Sequence, residues 1–297
     1  MSEKLTLPEL RGLFTDLGMN VARERVAFLR EPAPARLHEL RIAVRSARSL
    51  IVLTRDSFES VELNKARHVG ARISLLTGRA RNLDVFAEHW HDLTLELDPD
   101  IVMNLAPVLR QINLIREMEY RTIHASLADP EFSPFEAELE RLAKLPVGPL
   151  SADVVVQRAI KRINKRVVNI SGSLSEVAAD EVLHQARKDL KKLRYSLEMT
   201  KTHFPSRPLE KFTETLADLQ TTIGRHQDAV TFSNELWLAA RKLGSTVSSD
   251  TIVSVGILLN PIEEVRRNAR RKSLAKLRAY SSDEVQQSLK KLVGGLD

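Results

Sequence analysis

The chain has 297 residues, which is enough to bury a sizeable hydrophobic core. Only 11 residues are glycine and 5% are aromatic, a composition that favours an all-α protein over one built from sheets. The net charge of +6 favours polyanionic partners as a class, which includes nucleic acid, polyphosphate and acidic membrane surfaces.

Apolar residues with helical spacing predict two series of helices along the chain. In the first series the predicted helices cover residues 8–30, 35–55, 61–91 and 98–128. The last of these is expected to begin with Asp98 as its cap and Pro99 in its first turn. In the second series they cover residues 152–170, 176–201, 208–243 and 250–280, with a short helix from Asp283.

The clearest boundary in the sequence is the segment 129–150, where four prolines and a glycine flank one short amphipathic piece at 135–145. We therefore divide the chain into a first half, 1–146, and a second half, 147–297, each with four main helices. Because the pattern restarts after this segment, we expect an all-α fold of two four-helix bundles related by a pseudo-twofold axis.

Residues 37–48, LHELRIAVRSAR, recur at a shift of 146 as residues 183–194, LHQARKDLKKLR. The same shift places Phe58 on Phe204 and the pair Gly78 and Arg79 on Gly224 and Arg225. Several matches at one fixed shift indicate an internal duplication.

Each copy carries a basic stripe along one side of its predicted helix, because positions i, i+3, i+7 and i+10 lie close together at about 100° per residue. The first stripe consists of His38, Arg41, Arg45 and Arg48, and the second of His184, Arg187, Lys191 and Arg194. Like charges at these spacings repel one another. A bound anion would relieve this repulsion, whereas the alternative is an ordinary solvated basic face.

Four segments of the sequence resemble the conserved histidine α-helical domain, or CHAD, family. In chain order they are H38-ELR-IAVR-SAR, GRARNLD, H184-QARKDLKKLRY and IGRHQDAV. The resemblance covers nearly the whole chain. It implies two four-helix bundles whose basic stripes face a shared groove that binds inorganic polyphosphate. It also implies, for some members, association with polyphosphate or polyhydroxyalkanoate granules.

On this resemblance the candidate polyphosphate-binding residues are the two stripes, the neighbouring lysines and the arginines near the paired glycines. They are His38, Arg41, Arg45, Arg48, Arg79, Arg81, His184, Arg187, Lys188, Lys191, Lys192, Arg194 and Arg225. The glycines Gly78 and Gly224 are expected to permit close helix approach.

Two questions stay open at this point. His38 and His184 are either proton-dependent phosphate donors or neutral side chains hydrogen-bonded at a helix interface. The cations at positions 158, 161, 162, 165 and 166 are either a solvated surface or ligand contacts.

Two other functional classes are alternatives to polyphosphate binding. A nucleic-acid or general polyanion binder fits the charge, but the few aromatic residues are not interleaved with the stripes as base stacking requires. A phosphohydrolase is disfavoured, because the E-x-E-x-K motif of the triphosphatase domain often fused to this family is missing; the nearest string, residues 117–121, ends in arginine. We expect no catalysis, no cofactor and no metal site.

The sequence contains no cysteine, no secretory signal pattern at its N-terminus and no apolar run of about 18 residues. We therefore expect a cytoplasmic protein without membrane insertion, with granule association implied only by the resemblance.

Overall fold

The structure is a computed structural model that describes residues 6–58, 60–132, 134–146, 150–174, 180–244 and 247–294. Across these ranges the protein contains helices and no strands, which confirms the predicted all-α class. No helix within them combines the length and the apolar composition needed to span a bilayer. The first half forms α1 (Leu7–Arg30), α2 (Pro34–Leu53), α3 (Ser60–Leu76), α4 (Gly78–Thr94), α5 (Pro99–Asn104), α6 (Ala106–Ala128) and α7 (Phe135–Lys144). The second half forms α8 (Ala152–Ser173), α9 (Asp180–Met199), α10 (Ser206–Leu243), α11 (Ser249–Tyr280) and α12 (Asp283–Gly294).

Polar side chains cap several helix starts. At α1 the Thr6 amide donates to Glu9 Oε2 at 2.6 Å while the Glu9 amide donates to Thr6 Oγ1 at 3.3 Å, which is a capping box. At α5 the Asp98 side chain accepts from the Asp100 amide at 2.9 Å, so the helix start predicted at Asp98 is confirmed. The start predicted for the helix at 176–201 lies outside the described residues.

The predicted helix at 61–91 is wrong in one respect, because it is divided into α3 and α4 at Thr77. The Thr77 backbone has φ −88° and ψ −3°, outside the helical average. Its hydroxyl donates to the Ile73 carbonyl at 2.7 Å, a back-bond that bends helices. The same back-bond at Thr222 and Thr231 leaves α10 unbroken, so the Thr77 hydroxyl does not by itself account for the break.

The predicted helix at 98–128 is likewise divided, into α5 and α6, with Leu105 between them. Pro107 lies in the first turn of α6. Proline has no amide hydrogen and its ring crowds the carbonyl four residues earlier, which favours a break here, although α11 runs through Pro261. The end at Ala128 agrees with the prediction.

Two sets of helices pack around one large core. Helices α1, α2, α3 and α7 pack in a ring, as do α8, α9, α10 and α11, and α2 packs against both α8 and α9. The core contains side chains from both halves, among them Phe14, Leu50, Leu190 and Leu277, all fully buried. Burying each such side chain contributes about 1.5–3 kcal/mol.

A second, smaller core also draws on both halves. It joins α4 and α6 to the C-terminal part of α10 and the N-terminal part of α11, through side chains such as Phe86, Val108, Phe232 and Leu258. The Phe86 and Phe232 rings meet edge to face with centroids 5.3 Å apart. Both cores contain residues from each side of the boundary between residues 146 and 147. The division of the chain at that boundary stays a prediction.

Helix bounds recur at the shift seen in the sequence. Helix α2 ends at Leu53 and α9 ends at Met199, 146 residues later. The 3-10 turns that follow them, Arg55–Ser57 and Lys201–His203, are also 146 residues apart. Duplication itself remains a prediction, which these bounds support.

Candidate anion-binding site

The two stripe helices, α2 and α9, lie side by side. Each buries its apolar side completely, with Leu37 and Ile51 on α2 and Leu183 and Leu197 on α9 all inaccessible to solvent. Because the basic stripes lie one step around each helix from these residues, burial of the apolar sides brings the two stripes towards one another.

A cleft of about 520 Å³ opens where α2 and α9 meet α3. Seven of the side chains that line it are basic. They are Arg45 and Arg48 on α2, Arg67 and His68 on α3, and Lys188, Lys191 and Lys192 on α9. We call this set the basic cleft. No Asp or Glu occurs among the described residues that line it.

The cations within and behind the basic cleft act strongly on one another. Burial, followed by the charges of Arg187 and Arg45, lowers the pKa of Lys191 to about 6, although the carboxylate of Asp228 acts in the opposite direction. Burial and the charge of Arg45 also lower the pKa of Arg41, to about 10. Basic side chains are therefore crowded together before any ligand arrives, and burial with this crowding favours the uncharged form of Lys191.

Helix α3 holds two arginines of the first stripe in place. Arg41 Nη1 donates to Thr77 Oγ1 at 2.6 Å and to the Ser74 carbonyl at 3.2 Å. Arg48 Nη1 donates to Ser74 Oγ at 2.7 Å. These bonds keep the guanidiniums extended towards α3, so less side-chain entropy is lost when an anion binds.

Gly70 on α3 permits the close approach that this arrangement needs. A Cβ at this position would lie 2.7 Å from Phe135 Cζ and 2.9 Å from Arg48 Cγ. The prediction for Gly78 is wrong, because a Cβ there would meet nothing within 4 Å. At Gly224 the nearest atoms belong to Arg187, at an ordinary contact distance of 3.9 Å.

The two histidines of the stripes lie beside the cations without lining the basic cleft. His184 Nδ1 lies 2.8 Å from Gln227 Oε1 on α10. Burial first, and then Lys188, lowers the pKa of His184, while burial and Arg81 lower that of His38. In the free protein both side chains are thus biased towards the neutral form, in agreement with the helix-interface interpretation.

Three other predicted site residues are paired with carboxylates and lie outside the basic cleft. Arg79 contacts Glu119 at 3.2 Å and Glu235 at 3.4 Å. Arg81 contacts Glu88 at 2.8 Å.

The third, Arg194, contacts Glu198 at 2.9 Å and donates to Gln220 Oε1 at 3.1 Å. Arg225 is exposed on α10 and does not line the basic cleft either. Among the lysines, Lys192 lines the cleft and also contacts the buried Asp189 at 2.7 Å.

Arg67 and His68 are the cleft residues that sequence reasoning missed. Together with Asn64 and Ala71, which also line the cleft, they follow the spacing i, i+3, i+4 and i+7 of a single helix face. That spacing was available in the sequence. At a shift of 146, however, Arg67 and His68 correspond to Thr213 and Glu214, so the repeat gave no indication of them.

Comparison with known proteins gives consistent results. Residues 19–237 match the model of the CHAD domain family. Two uncharacterized proteins of Mycobacterium tuberculosis, from strains CDC 1551 and H37Rv, are each 24% identical over 252 residues, which is 82% of this chain. The alignment spans only 47% of the length of those relatives.

Two solved structures share the fold. The crystal structure of the CHAD domain from the plant Ricinus communis superposes with a TM-score of 0.73 at 19% identity, covering 93% of each chain. PptA from Streptomyces chartreusis superposes with a TM-score of 0.64 at 17% identity, covering 96% of this chain and 99% of that one. At these identities the structures establish the fold alone. With the family model matching well over half of its residues, this chain belongs to the CHAD domain family.

Proposed function

We propose that this protein binds inorganic polyphosphate in the basic cleft. The observation that carries the proposal is the meeting of cations from both halves of the chain in one cleft, with no Asp or Glu among its described lining residues. Membership of the CHAD family supports it, since the family resemblance implies polyphosphate as the ligand.

The chemistry of the lining suits a chain of phosphates. Arginine presents a planar fork of donors to phosphate oxygens, and lysine presents a compact charge. Burial, together with the charges of Arg187 and Arg45, lowers the pKa of Lys191, and an anion in the cleft would favour its charged form. Because binding releases counterions, affinity for polyphosphate should fall steeply as salt is added, by analogy with nucleic acid.

Nucleic acid remains the alternative ligand. The described residues that line the basic cleft include no Phe, Tyr or Trp. Proteins that bind single strands without sequence preference commonly use aromatic side chains as stacking platforms. The lining therefore favours a polyanion that has charges and no bases.

We propose further that binding occurs without hydrolysis. The lining supplies Lys, Arg and His side chains, which hold phosphate oxygens, and it supplies no carboxylate to position Mg²⁺ among the described residues. The test is phosphate release from polyphosphate by the purified protein. Release that disappears when Lys191 is replaced by alanine would overturn this part of the proposal.

Direct binding of the polymer would also give the protein a route to polyphosphate granules in a cytoplasmic location. Imaging of a fluorescent fusion would test this. A fusion that stays diffuse in cells that contain polyphosphate granules would contradict it.

The primary experiment is a competition titration at near-physiological salt. Long-chain polyphosphate competes against single-stranded and double-stranded DNA matched in total charge. We expect a strong preference for polyphosphate. Equal affinity for the three ligands would favour the nucleic-acid or general polyanion alternative.

A double variant and a matched control test whether polyphosphate binds in the basic cleft. Replacing both Arg45 and Lys191 with alanine should lower the affinity for polyphosphate about 100-fold, since each charge-assisted contact contributes about 1.5–3 kcal/mol. The control replaces Arg194 and Arg225 with alanine, which removes two basic side chains outside the basic cleft. An equal loss in the two double variants would place the ligand on the general surface, and unchanged helicity by circular dichroism checks that both proteins fold.

A further inference from the structure

A second cavity of about 110 Å³ adjoins the basic cleft. The two share Val52, Arg67 and Lys192 as lining residues, so one leads into the other. The additional cations of this side cavity are Arg55, next to the end of α2, and Arg162 and Arg166 on α8. We call these five cations and Val52 the side cavity.

The cations of the side cavity are only partly satisfied within the protein. Arg162 is held by Asp56 at 2.7 Å and by the Val52 carbonyl at 3.0 Å. Arg166 Nη2 lies 3.4 Å from Asp189 Oδ1, but its Nε is buried without a hydrogen-bond partner among the described residues. A buried donor without a partner is costly, and an anion in the cavity would provide the acceptor.

The size of the side cavity restricts what can enter it. At about 110 Å³ the side cavity is about one fifth the size of the basic cleft. That space is enough for a single tetrahedral oxyanion. No Asp or Glu occurs among the described residues that line it.

Most cations of the side cavity have no basic counterpart at the positions 146 residues away. At a shift of 146 residues, Arg162 and Arg166 of α8 correspond to Asp16 and Asn20 of α1. Val52 likewise corresponds to Glu198. The only basic counterpart is Lys201, which corresponds to Arg55.

We propose that the side cavity is a second phosphate subsite that continues the basic cleft. The protein would then select linear oxyanion chains long enough to occupy both cavities over shorter chains of the same chemistry. A flexible chain with a charge on every unit can pass Arg67 and Lys192 and place one further unit beside Arg55 and Arg166. This inference rests on the proposed function.

The test compares Arg55→Glu with Lys201→Glu. Both residues are exposed, both open the 3-10 turn that follows a stripe helix, and both substitutions change the charge by the same amount. The probes are tripolyphosphate and long-chain polyphosphate. We expect Arg55→Glu to bind the long chain about tenfold more weakly than Lys201→Glu does, with a salt slope lower by about one, while the two variants bind tripolyphosphate equally.

Equal affinity of the two variants for the long chain would overturn the subsite. Arg166→Gln, checked for helicity because Arg166 contacts Asp189, provides a second variant with the same expected pattern. Failure of the wild-type protein to bind either probe, or retention of affinity by the Arg45 and Lys191 double variant, would instead overturn the proposed function and the subsite with it. The subsite alone would be overturned if the Arg45 and Lys191 double variant lost affinity while Arg55→Glu and Lys201→Glu bound the long chain equally.

Discussion

The two stripe helices carry similar residues at the same spacing, but their neighbours hold them differently. Arg41 on α2 donates to Thr77, at the break between α3 and α4. Its counterpart on α9, Arg187, lies over Gly224 of the unbroken α10, with its Nε buried and without a hydrogen-bond partner among the described residues. At the position of Thr77 the second half has Ile223, which offers no hydroxyl.

The neighbouring charges differ in the same way. Arg48 donates to the neutral Ser74 and lines the basic cleft, whereas Arg194, 146 residues further along the chain, contacts Glu198. The second half therefore satisfies part of its stripe internally. Beside α3 of the first half, Arg41 and Arg48 are anchored by neutral groups, which leaves their charge available to a ligand.

The largest expected effect concerns Lys191, whose counterpart in the first half is Arg45. In the free protein its pKa is lowered to about 6 by burial and by Arg187 and Arg45, with Arg41 adding to them and Asp228 opposing them. A bound polyanion favours the charged form, so binding takes up a proton. Affinity for long-chain polyphosphate should rise as the pH falls from 8 to 6, by up to about tenfold per pH unit, and level off below 6.

Calorimetry in buffers of different ionisation enthalpy measures this proton uptake. Lys191→Met should remove it, and any slope that remains belongs to other groups such as His184, whose pKa is also lowered by burial and Lys188. The lowered pKa of Lys191 also makes the stability of the free protein depend on pH. Because the unfolded chain holds the lysine proton up to about pH 10, Lys191 destabilises the fold increasingly as the pH falls from about 10 towards 6. An uptake that is identical in wild type and Lys191→Met would contradict the assignment.

A stability measurement tests the close packing of α3 against α2 and α7. Gly70→Ala should lower the free energy of unfolding by about 1–3 kcal/mol, because the added Cβ would overlap Phe135 and Arg48. At the equivalent position the second half has the buried Leu216, so the tolerance for a side chain differs between the halves. Gly78→Ala, where the added Cβ meets nothing, is the control and should not be destabilising in urea titrations.

A single-site comparison separates the two stripes in binding. Arg48→Ala should weaken polyphosphate binding about tenfold, the effect of losing one charge-assisted contact. Arg194→Ala should change it by less than about twofold, because Arg194 is already paired with Glu198 and lies outside the cleft. Isothermal titration at one salt concentration is sufficient, and a reversed order would mean that the ligand follows the second stripe.

The smallest expected effect concerns the break at Thr77. Thr77→Val removes the acceptor of Arg41 while keeping the side-chain shape, and should lower the free energy of unfolding by about 1 kcal/mol. Ile223→Val is the matched change in the unbroken α10, and it removes only a methylene group. Chemical denaturation measures the free energy of unfolding of both variants, and a Thr77→Val protein as stable as the wild type would show that the Arg41 bond contributes nothing.

The sequence was sufficient for those features that depend on local pattern. The all-α class, the ends of α6 and α10, and the cap at Asp98 all follow from apolar spacing and from the chemistry of helix ends. The meeting of Arg45 and Arg48 with Lys188, Lys191 and Lys192 also agrees with the predicted facing of the stripes.

Features that depend on partners distant in sequence could not be predicted in the same way. Whether an arginine faces a ligand or a carboxylate is decided by other helices, as for Arg79 with Glu235, which lies 156 residues away. The need for glycine at position 70 depends on Phe135 of α7. The break at Thr77 is different in kind, because its local signal is weak: threonine occurs within many helices without interrupting them.

The sharing of the smaller core between the two halves sets the order in which this chain can finish folding during synthesis. Phe86 and Val108 emerge from the ribosome long before Phe232 and Leu258, which cover them. Until α10 and the start of α11 have been made, the apolar sides of α4 and α6 have no native cover and are open to aggregation or to chaperones. The smaller core therefore cannot be completed before the second half has been made, and such distant pairings slow the final step.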